Sequence, residues 1–470
     1  MTDVIVIGGG PAGLVAALRA GDLGARTTLV TSGEFGGMAS NDGPVPVRTL
    51  AHAARLVREA RQLGQYGITS SAPTLDYPRL LARVREVVED VRRHAAFRSQ
   101  LETVGVAIHE RTGRAHFVDT HTIETESGLQ LRADKIILCA GGVSRRLPVP
   151  GFEFTATHSD AWTLTAVPES MLVVGGGATG AQVASIFSGF GSRIQWFEAG
   201  PRILRTEDED VSEAVAAAFT DVGIVVRKNF GSIERFEKTS NGVRMVFTKE
   251  GKRDSAEAAV VVVAVGWVAD AAGLNLAKAG VELDGRGFVQ TDEYQQTTLP
   301  HIFAAGDITG RLMLVPEAIQ DGFVAATNAV LGRRETRPPT VSPIGSFTDP
   351  EYAQVGLTEA RAREDHKPVV VKINFDSTTR TIIDGRTTGF CKLIVDRETR
   401  GVLGCHVVGE RAVEIAQVAS IVIASGMRVD DLARVPLSFP TYAGVLGRLA
   451  ASATRQLNLS VSWQANQVES

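Results

Sequence analysis

Cysteine is scarce: the chain has only Cys139, Cys391 and Cys405 in 470 residues. None stands in a CxxC or CxxxxC pair or at metal-ligand spacing, which excludes a disulfide framework and gives no metal site. An odd, sparse count fits a cytoplasmic protein in a reducing compartment, its thiols acting as small buried hydrophobes. Long apolar runs are missing as well. The longest, Ala258–Val265, is far short of the about 18 residues a membrane-spanning helix needs and reads as a buried strand. Neither sign of charge dominates: 49 Lys and Arg against 53 Asp and Glu give a net charge of -4, which excludes bulk attraction to nucleic acid or anionic membrane. Met1-Thr2-Asp3 leads straight into a strand with no basic segment or cleavage site, so no signal peptide is expected.

What is present is ordinary for a globular chain. Hydrophobic residues make up 44% and charged residues 22%, enough for a sizeable core. At about 150 residues per domain, the length predicts roughly three domains. Glycine stands out at 48 residues, above the average of about 7%. With 18 prolines and no low-complexity tract, the excess predicts tight turns and close backbone approaches.

The glycines also appear in a repeated pattern. Val4-Ile5-Val6-Ile7 ends in Gly8-Gly9-Gly10-Pro11-Ala12-Gly13, followed by a predicted helix over Leu14–Leu23 and a strand over Thr27–Val30. Met171-Leu172-Val173-Val174 ends in Gly175-Gly176-Gly177-Ala178-Thr179-Gly180, followed by a helix through Phe187 and a strand over Arg193–Phe197. One GxGxxG is weak; two in strand–turn–helix context predict two dinucleotide sites, with pyrophosphate against Gly8, Gly10 and Gly13, and against Gly175, Gly177, Thr179 and Gly180.

An acidic residue is expected about 20 positions on, to hold the adenosine ribose. In the second copy that residue is Glu198, which favours NADH and opposes a 2′-phosphate, although Arg202 and Arg205 nearby could accommodate one. In the first copy the slot holds neutral Thr31. Two dinucleotides in one chain suggest a nicotinamide–flavin relay. Ile302-Phe303-Ala304-Ala305-Gly306-Asp307 adds a strand ending in a carboxylate suited to a ribityl hydroxyl.

These residues resemble the flavoprotein class of dihydrolipoamide dehydrogenase, glutathione reductase and mercuric reductase (the class I pyridine nucleotide-disulfide oxidoreductases). The likeness runs over about residues 3–455. Gly36-Gly37 matches the turn before the family's redox site, and Leu138-Cys139-Ala140-Gly141-Gly142 and Val263–Gly266 resemble its two connectors. Thr348-Asp349-Pro350-Glu351 with Val355-Gly356-Leu357-Thr358 resembles the opening of its dimerisation domain, and Phe439-Pro440-Thr441 stands where it carries His-Pro-Thr.

The resemblance implies an α/β fold: two Rossmann-like dinucleotide-binding domains, for FAD and NAD, plus a C-terminal α+β dimerisation domain. Residues 1–155 and 275–340 would bind FAD, 156–274 NAD(H), and 341–470 would form a homodimer interface, with a loosely ordered tail from Leu457. Two strands near 369–373 and 392–395 and two helices, Ala412–Ala424 and Tyr442–Gln456, are expected there. FAD contacts are implied at Pro11, Ala12, Gly36, Gly37, Arg48, Ala115, Ala140, Gly141, Gly306, Asp307, Leu314 and Val315, and an NAD contact at Gly266. The helix opening at Val315-Pro316-Glu317 would direct its positive end at the flavin.

The departures bear on function. Aligned without gaps, Ala39 and Pro44 replace both cysteines of the family's redox pair, and Phe439 and Gly444 replace its C-terminal His and Glu. A thiol reductase needs a thiolate and a base; neither is present. Arg48 replaces the active-site Lys, and Gln182 the Glu that often partners it, leaving a positive site unless Arg48 pairs with a carboxylate such as Asp42. The expected activity is an FAD-dependent NAD(P)H oxidoreductase passing hydride from NADH to flavin, then electrons directly to a small, quinone-like acceptor. Met38, Ala39, Pro44 and Phe439 would line the acceptor pocket, with Tyr442 either a hydrogen-bonding group there or an interface packing residue. The alternatives are an NADH oxidase, a transhydrogenase, conventional dihydrolipoamide or mercuric reduction, and a slow flavin-based sensor.

Overall fold

The computed structural model describes residues 2–339 and 341–459. Its first sheet has five parallel strands in the order Ile302–Ala304, Lys135–Leu138, β1 (Asp3–Ile7), β2 (Arg26–Val30) and Ala107–His109. The second has four parallel strands in the order Val225–Lys228, Arg193–Glu198, Ser170–Val174 and Val260–Val263. Their central strands β1 and Ser170–Val174 are near-continuous apolar runs rather than alternations, because helices or other sheets cover both faces. The apolar run ending at Val265 supplies the buried strand Val260–Val263. An α/β fold with two dinucleotide-binding halves is therefore present, as expected.

The chain passes between these two sheets twice. The two crossings, Gly142–Ser144 and Trp267–Ala269, pair with each other as a short antiparallel ribbon. A third sheet is wholly antiparallel, in the order Ile344–Ser346, Tyr352–Gly356, Val402–Val408, Phe390–Asp396 and Pro368–Asn374. The helices Ala412–Ala424 and Val445–Gln456 share its apolar core. All three cysteines are buried and free, and the Cys391 and Cys405 sulfurs lie 3.9 Å apart in this core.

Helix starts differ from the sequence expectation for identifiable reasons. Helix α1 spans Pro11–Asp22, three residues earlier than expected at its start, because proline is pre-shaped for the first turn. The last helix begins at Val445 rather than Tyr442, because the Thr441 hydroxyl accepts the Gly444 N–H at 3.2 Å and closes a turn first. Of the expected loose tail, residues 460–470 lie outside the described residues.

Candidate active site

The glycine turns require glycine on steric grounds. Gly8 has φ +115°, and a Cβ there would lie 2.1 Å from the Cys139 carbonyl oxygen; a Cβ on Gly13 would lie 1.8 Å from the Gly8 oxygen. A Cβ on Gly10 would meet nothing closer than the Gly37 Cα at 3.8 Å, so the space before α1 is open. Gly10 caps α1 without a side chain, and no acidic residue occupies the first turn. The turn after Gly10 thus leaves the Ala12 and Gly13 N–H groups uncommitted and able to meet an anion, Pro11 having no N–H to satisfy. The second copy repeats this. Gly180 packs against the Gly175 oxygen, Gly177 faces open space, and the helix Ala178–Phe190, with Thr179 in its first turn, has no side-chain cap.

Around the first turn the other expected contacts converge. Gly36 N–H donates to the Gly9 oxygen at 2.8 Å, and Gly37 comes so close to Gly10 that a Cβ would sit 2.8 Å from its Cα. Thr31 is buried at the end of β2, its oxygen accepting from Thr112 N–H at 3.3 Å. Ala140 and Gly141 follow the strand Lys135–Leu138, and Gly141 accepts from Asp270 N–H at 3.0 Å. Gly266 accepts from Arg145 N–H at 2.9 Å, at the return crossing. Ala115 begins the strand Ala115–Phe117, and its side chain packs in a core cluster with Ile7 and Val30.

Gly306 lies where two helices begin. A Cβ on it would be 3.0 Å from the Cβ of Ala12 and 3.4 Å from that of Ala318. The second helix, Val315–Leu331, is capped by Leu314 without a side-chain bond. Asp321 holds Gly306 from behind, accepting its N–H at 3.3 Å and the Arg337 guanidinium at 2.8 Å. Glu317 turns away from the helix mouth to Arg337 and Ser342. Asp321 and Arg337 were not anticipated, since their partners lie far off in sequence.

The Asp307 carboxylate, by contrast, makes no hydrogen bond or ion pair among the described residues. Burial and the nearby Asp321 push its pKa up to about 6. A half-buried carboxylate without a donor fits a ribityl hydroxyl, and the open glycine turns fit pyrophosphate. These residues would hold FAD.

Glu198, expected to meet the second ribose, accepts Gly176 N–H at 2.7 Å and Gly200 N–H at 2.6 Å. Each oxygen keeps a lone pair for a ribose hydroxyl. Arg202 is committed to carbonyl oxygens of its own loop, Glu207 at 2.8 Å among them. Arg205 lies beside Gly200, a Cβ on which would be 3.4 Å from its Nη1.

The segment that replaces the redox pair is the short helix α2 (Gly37–Asn41), then Asp42 and Gly43, then α3 (Pro44–Gln62). Ala39 lies in α2 and Pro44 opens α3. Asp42 and Gly43 N–H groups both donate to the Met38 oxygen, at 3.0 and 2.6 Å. No thiol is on hand: burial pushes Cys139 and Cys391 far up, and neither is solvent-accessible.

Arg48, on α3, stacks its guanidinium 3.6 Å over the Phe347 ring. Partial burial lowers its pKa, against the attraction of Glu414 and Glu351. Asp42 is not its partner, being bonded to Ser159. Gln182 turns back to the Ala178 oxygen at 3.4 Å and makes no bond to Arg48. Phe439 is 80% exposed. Tyr442 packs on the third core and donates to Asp384 at 2.7 Å, the packing alternative.

A polar cluster that sequence gave no sign of sits beside α2. The Ser159 hydroxyl donates to Asp42, His158 Nε2 lies 3.2 Å from the Ser159 oxygen, and Ser144 Oγ is 2.7 Å from His158 Nδ1. The imidazole packs edge-on against Trp267, with ring centroids 4.6 Å apart.

Known proteins share this architecture. Residues 2–322 match the pyridine nucleotide-disulphide oxidoreductase family, and residues 342–450 match its dimerisation domain. A dihydrolipoyl dehydrogenase of Zymomonas mobilis is 32% identical over 88% of this chain and 90% of its own. A mercuric reductase of Bacillus cereus is 30% identical over 94% of this chain and 70% of its own. Among solved structures, the HOCl-induced flavoprotein disulfide reductase RclA from Escherichia coli superposes with a TM-score of 0.84 at 25% identity, over 96% of this chain and 99% of that one. The chain belongs to the pyridine nucleotide-disulphide oxidoreductase family and is an enzyme using FAD and NAD(P)H.

Proposed function

We propose that this enzyme passes electrons from NADH through FAD directly to a small planar acceptor, quinone-like in chemistry, without a disulfide relay. The observation that carries the reading is the segment 37–44: two residues that cannot hold electrons, Ala39 and Pro44, stand where relatives need thiols, and every cysteine in the chain is buried elsewhere. Conventional lipoamide or mercury chemistry would need a thiolate that no residue supplies.

When bound, FAD supplies two-electron transfer between the nicotinamide and the acceptor. The chain's own residues bind and orient. The α1 turn and the helix from Val315 would direct positive ends at the cofactor, and Asp307 would anchor its ribityl chain. Glu198 selects NADH; Arg202 is too committed to loop carbonyls to favour a 2′-phosphate, and Arg205 leaves NADPH as the slower donor. Residues 1–155 and 275–340 form the FAD unit, 156–274 the NAD unit and 341–470 the interface of a cytoplasmic homodimer. An exposed Phe439 reaches an acceptor pocket only across that interface.

Anaerobic stopped-flow tests the proposal. NADH should bleach the flavin band, and a quinone should restore it within a turnover, while lipoamide and mercuric ion leave it bleached. Reoxidation by lipoamide at the quinone rate would overturn the proposal; reoxidation by oxygen alone would make the enzyme an oxidase.

A further inference from the structure

The cluster beside α2 has a definite hydrogen-bond order. Ser159 has one hydroxyl proton and gives it to Asp42, so its oxygen is left to accept from His158 Nε2–H. His158 Nδ1 then meets the Ser144 hydroxyl at 2.7 Å, which donates to a neutral ring or accepts from a charged one. One proton can thus reside on the imidazole or on the carboxyl, with Ser159 between them. The ends differ in access: the Asp42 side chain is 34% exposed and that of His158 only 5%. The charges acting on the ring are Asp42 and Asp160, against burial that disfavours the imidazolium. Asp160 spends its oxygen on the Thr157 cap, accepting from Thr157 N–H at 2.7 Å and its hydroxyl at 2.8 Å, which leaves Asp42 as the carboxylate linked to the ring.

The placement gives the chain a use. Asp42 lies between Ala39 and Pro44, in the segment assigned above to the acceptor. Ser144 and Trp267 lie on the paired crossings that join the two nucleotide sheets.

We infer that Asp42, Ser159 and His158 form a proton relay that serves the acceptor, replacing the base lost at Phe439 and Gly444. This rests on the direct-acceptor reading. A quinone that receives the two electrons and one proton of a hydride becomes a hydroquinone only on taking one further proton. That proton leaves the Asp42 carboxyl for the acceptor oxygen. Asp42 regains it from the His158 imidazolium through Ser159: Ser159 passes its own proton on and takes one from Nε2. The pair is reloaded from solvent between turnovers. NADH, a proton and quinone give NAD+ and hydroquinone, so the sum balances.

The test compares two acceptors of NADH-reduced enzyme by anaerobic stopped-flow from pH 5 to 9. A quinone needs the proton; ferricyanide, which takes single electrons, does not. In the wild type, quinone reoxidation should fall with rising pH while ferricyanide reoxidation stays flat. Asp42→Asn and His158→Gln should each lower the quinone-to-ferricyanide rate ratio by about tenfold or more, within the range of general acid catalysis, and remove the pH step. Ser159→Ala should do the same with Asp42 and His158 both intact.

An unchanged ratio and pH step in Asp42→Asn would overturn the relay. So would an equal fall for both acceptors, the mark of a structural role. Should quinone fail to reoxidise even the wild type, the acceptor reading fails, and the relay is judged by NMR titration of His158. Asp42→Asn should lower its midpoint, because an attractive charge is gone; an unmoved midpoint overturns the shared proton.

Discussion

Replacing Glu198 by glutamine removes one negative charge from the end of the strand Arg193–Glu198 while keeping the side chain's length. Its two oxygens sit 2.7 Å from Gly176 N and 2.6 Å from Gly200 N, so the group is held fixed at the proposed ribose site. A 2′-phosphate about 5 Å from that charge would be repelled by about 3 kcal/mol per unit charge at an effective dielectric of about 20. Partial exposure and salt reduce this to about 1.4–2.7 kcal/mol, or tenfold to a hundredfold in relative affinity. Arg205, beside Gly200, is then free to attract the phosphate. The assay is the concentration dependence of anaerobic flavin bleaching by NADH and NADPH. Glu198→Gln should raise the NADPH-to-NADH ratio of second-order rate constants by at least about tenfold, and the gain should shrink in high salt. A change under threefold, or one insensitive to salt, would refute the assignment of Glu198 to nucleotide choice.

Other outcomes follow from single contacts. Gly13→Ala places a Cβ 1.8 Å from the Gly8 oxygen, so the protein should purify without FAD, read from the ratio of flavin to protein absorbance. Lys392, 3% exposed in its side chain, bonds Asp208 at 2.8 Å and Asp210 at 2.7 Å. Lys392→Met strands a buried carboxylate at a cost of about 3–5 kcal/mol, and calorimetry should show a clearly lower unfolding midpoint. The pKa of Asp307 is raised to about 6, so the folded apo-protein binds that proton more tightly than the unfolded chain does. Stability should therefore fall as pH rises from about 4 to about 6 and level off above. Asp307→Asn should flatten this step and raise the apo midpoint at pH 7, yet weaken FAD retention; a lowered midpoint would contradict the unpaired carboxylate.

How much was legible in the sequence depended on whether the physical constraint is local. Gly8 and Gly175 announce themselves because a positive φ and a close carbonyl are set by neighbouring residues and one returning strand. The loss of the thiols at Ala39 and Pro44 could be read by counting from Gly36-Gly37. The fate of Arg48 could not. Its ring partner, Phe347, comes from the third unit, and no local pattern predicts that a cation will stack rather than pair. Likewise, Arg202 looked like a phosphate ligand until its loop folded back and its own carbonyls consumed its donors. The Asp42–Ser159–His158 chain joins segments 117 residues apart, with ordinary residue types and no spacing rule, so only the fold could bring it together.

The central claim, that electrons have no sulfur pair on which to rest, is tested most directly by counting them. Anaerobic titration of the purified holoenzyme with dithionite should reach full flavin reduction at one two-electron equivalent per FAD, with no intermediate plateau. Consumption of two equivalents per FAD would reveal a second two-electron store and contradict the account.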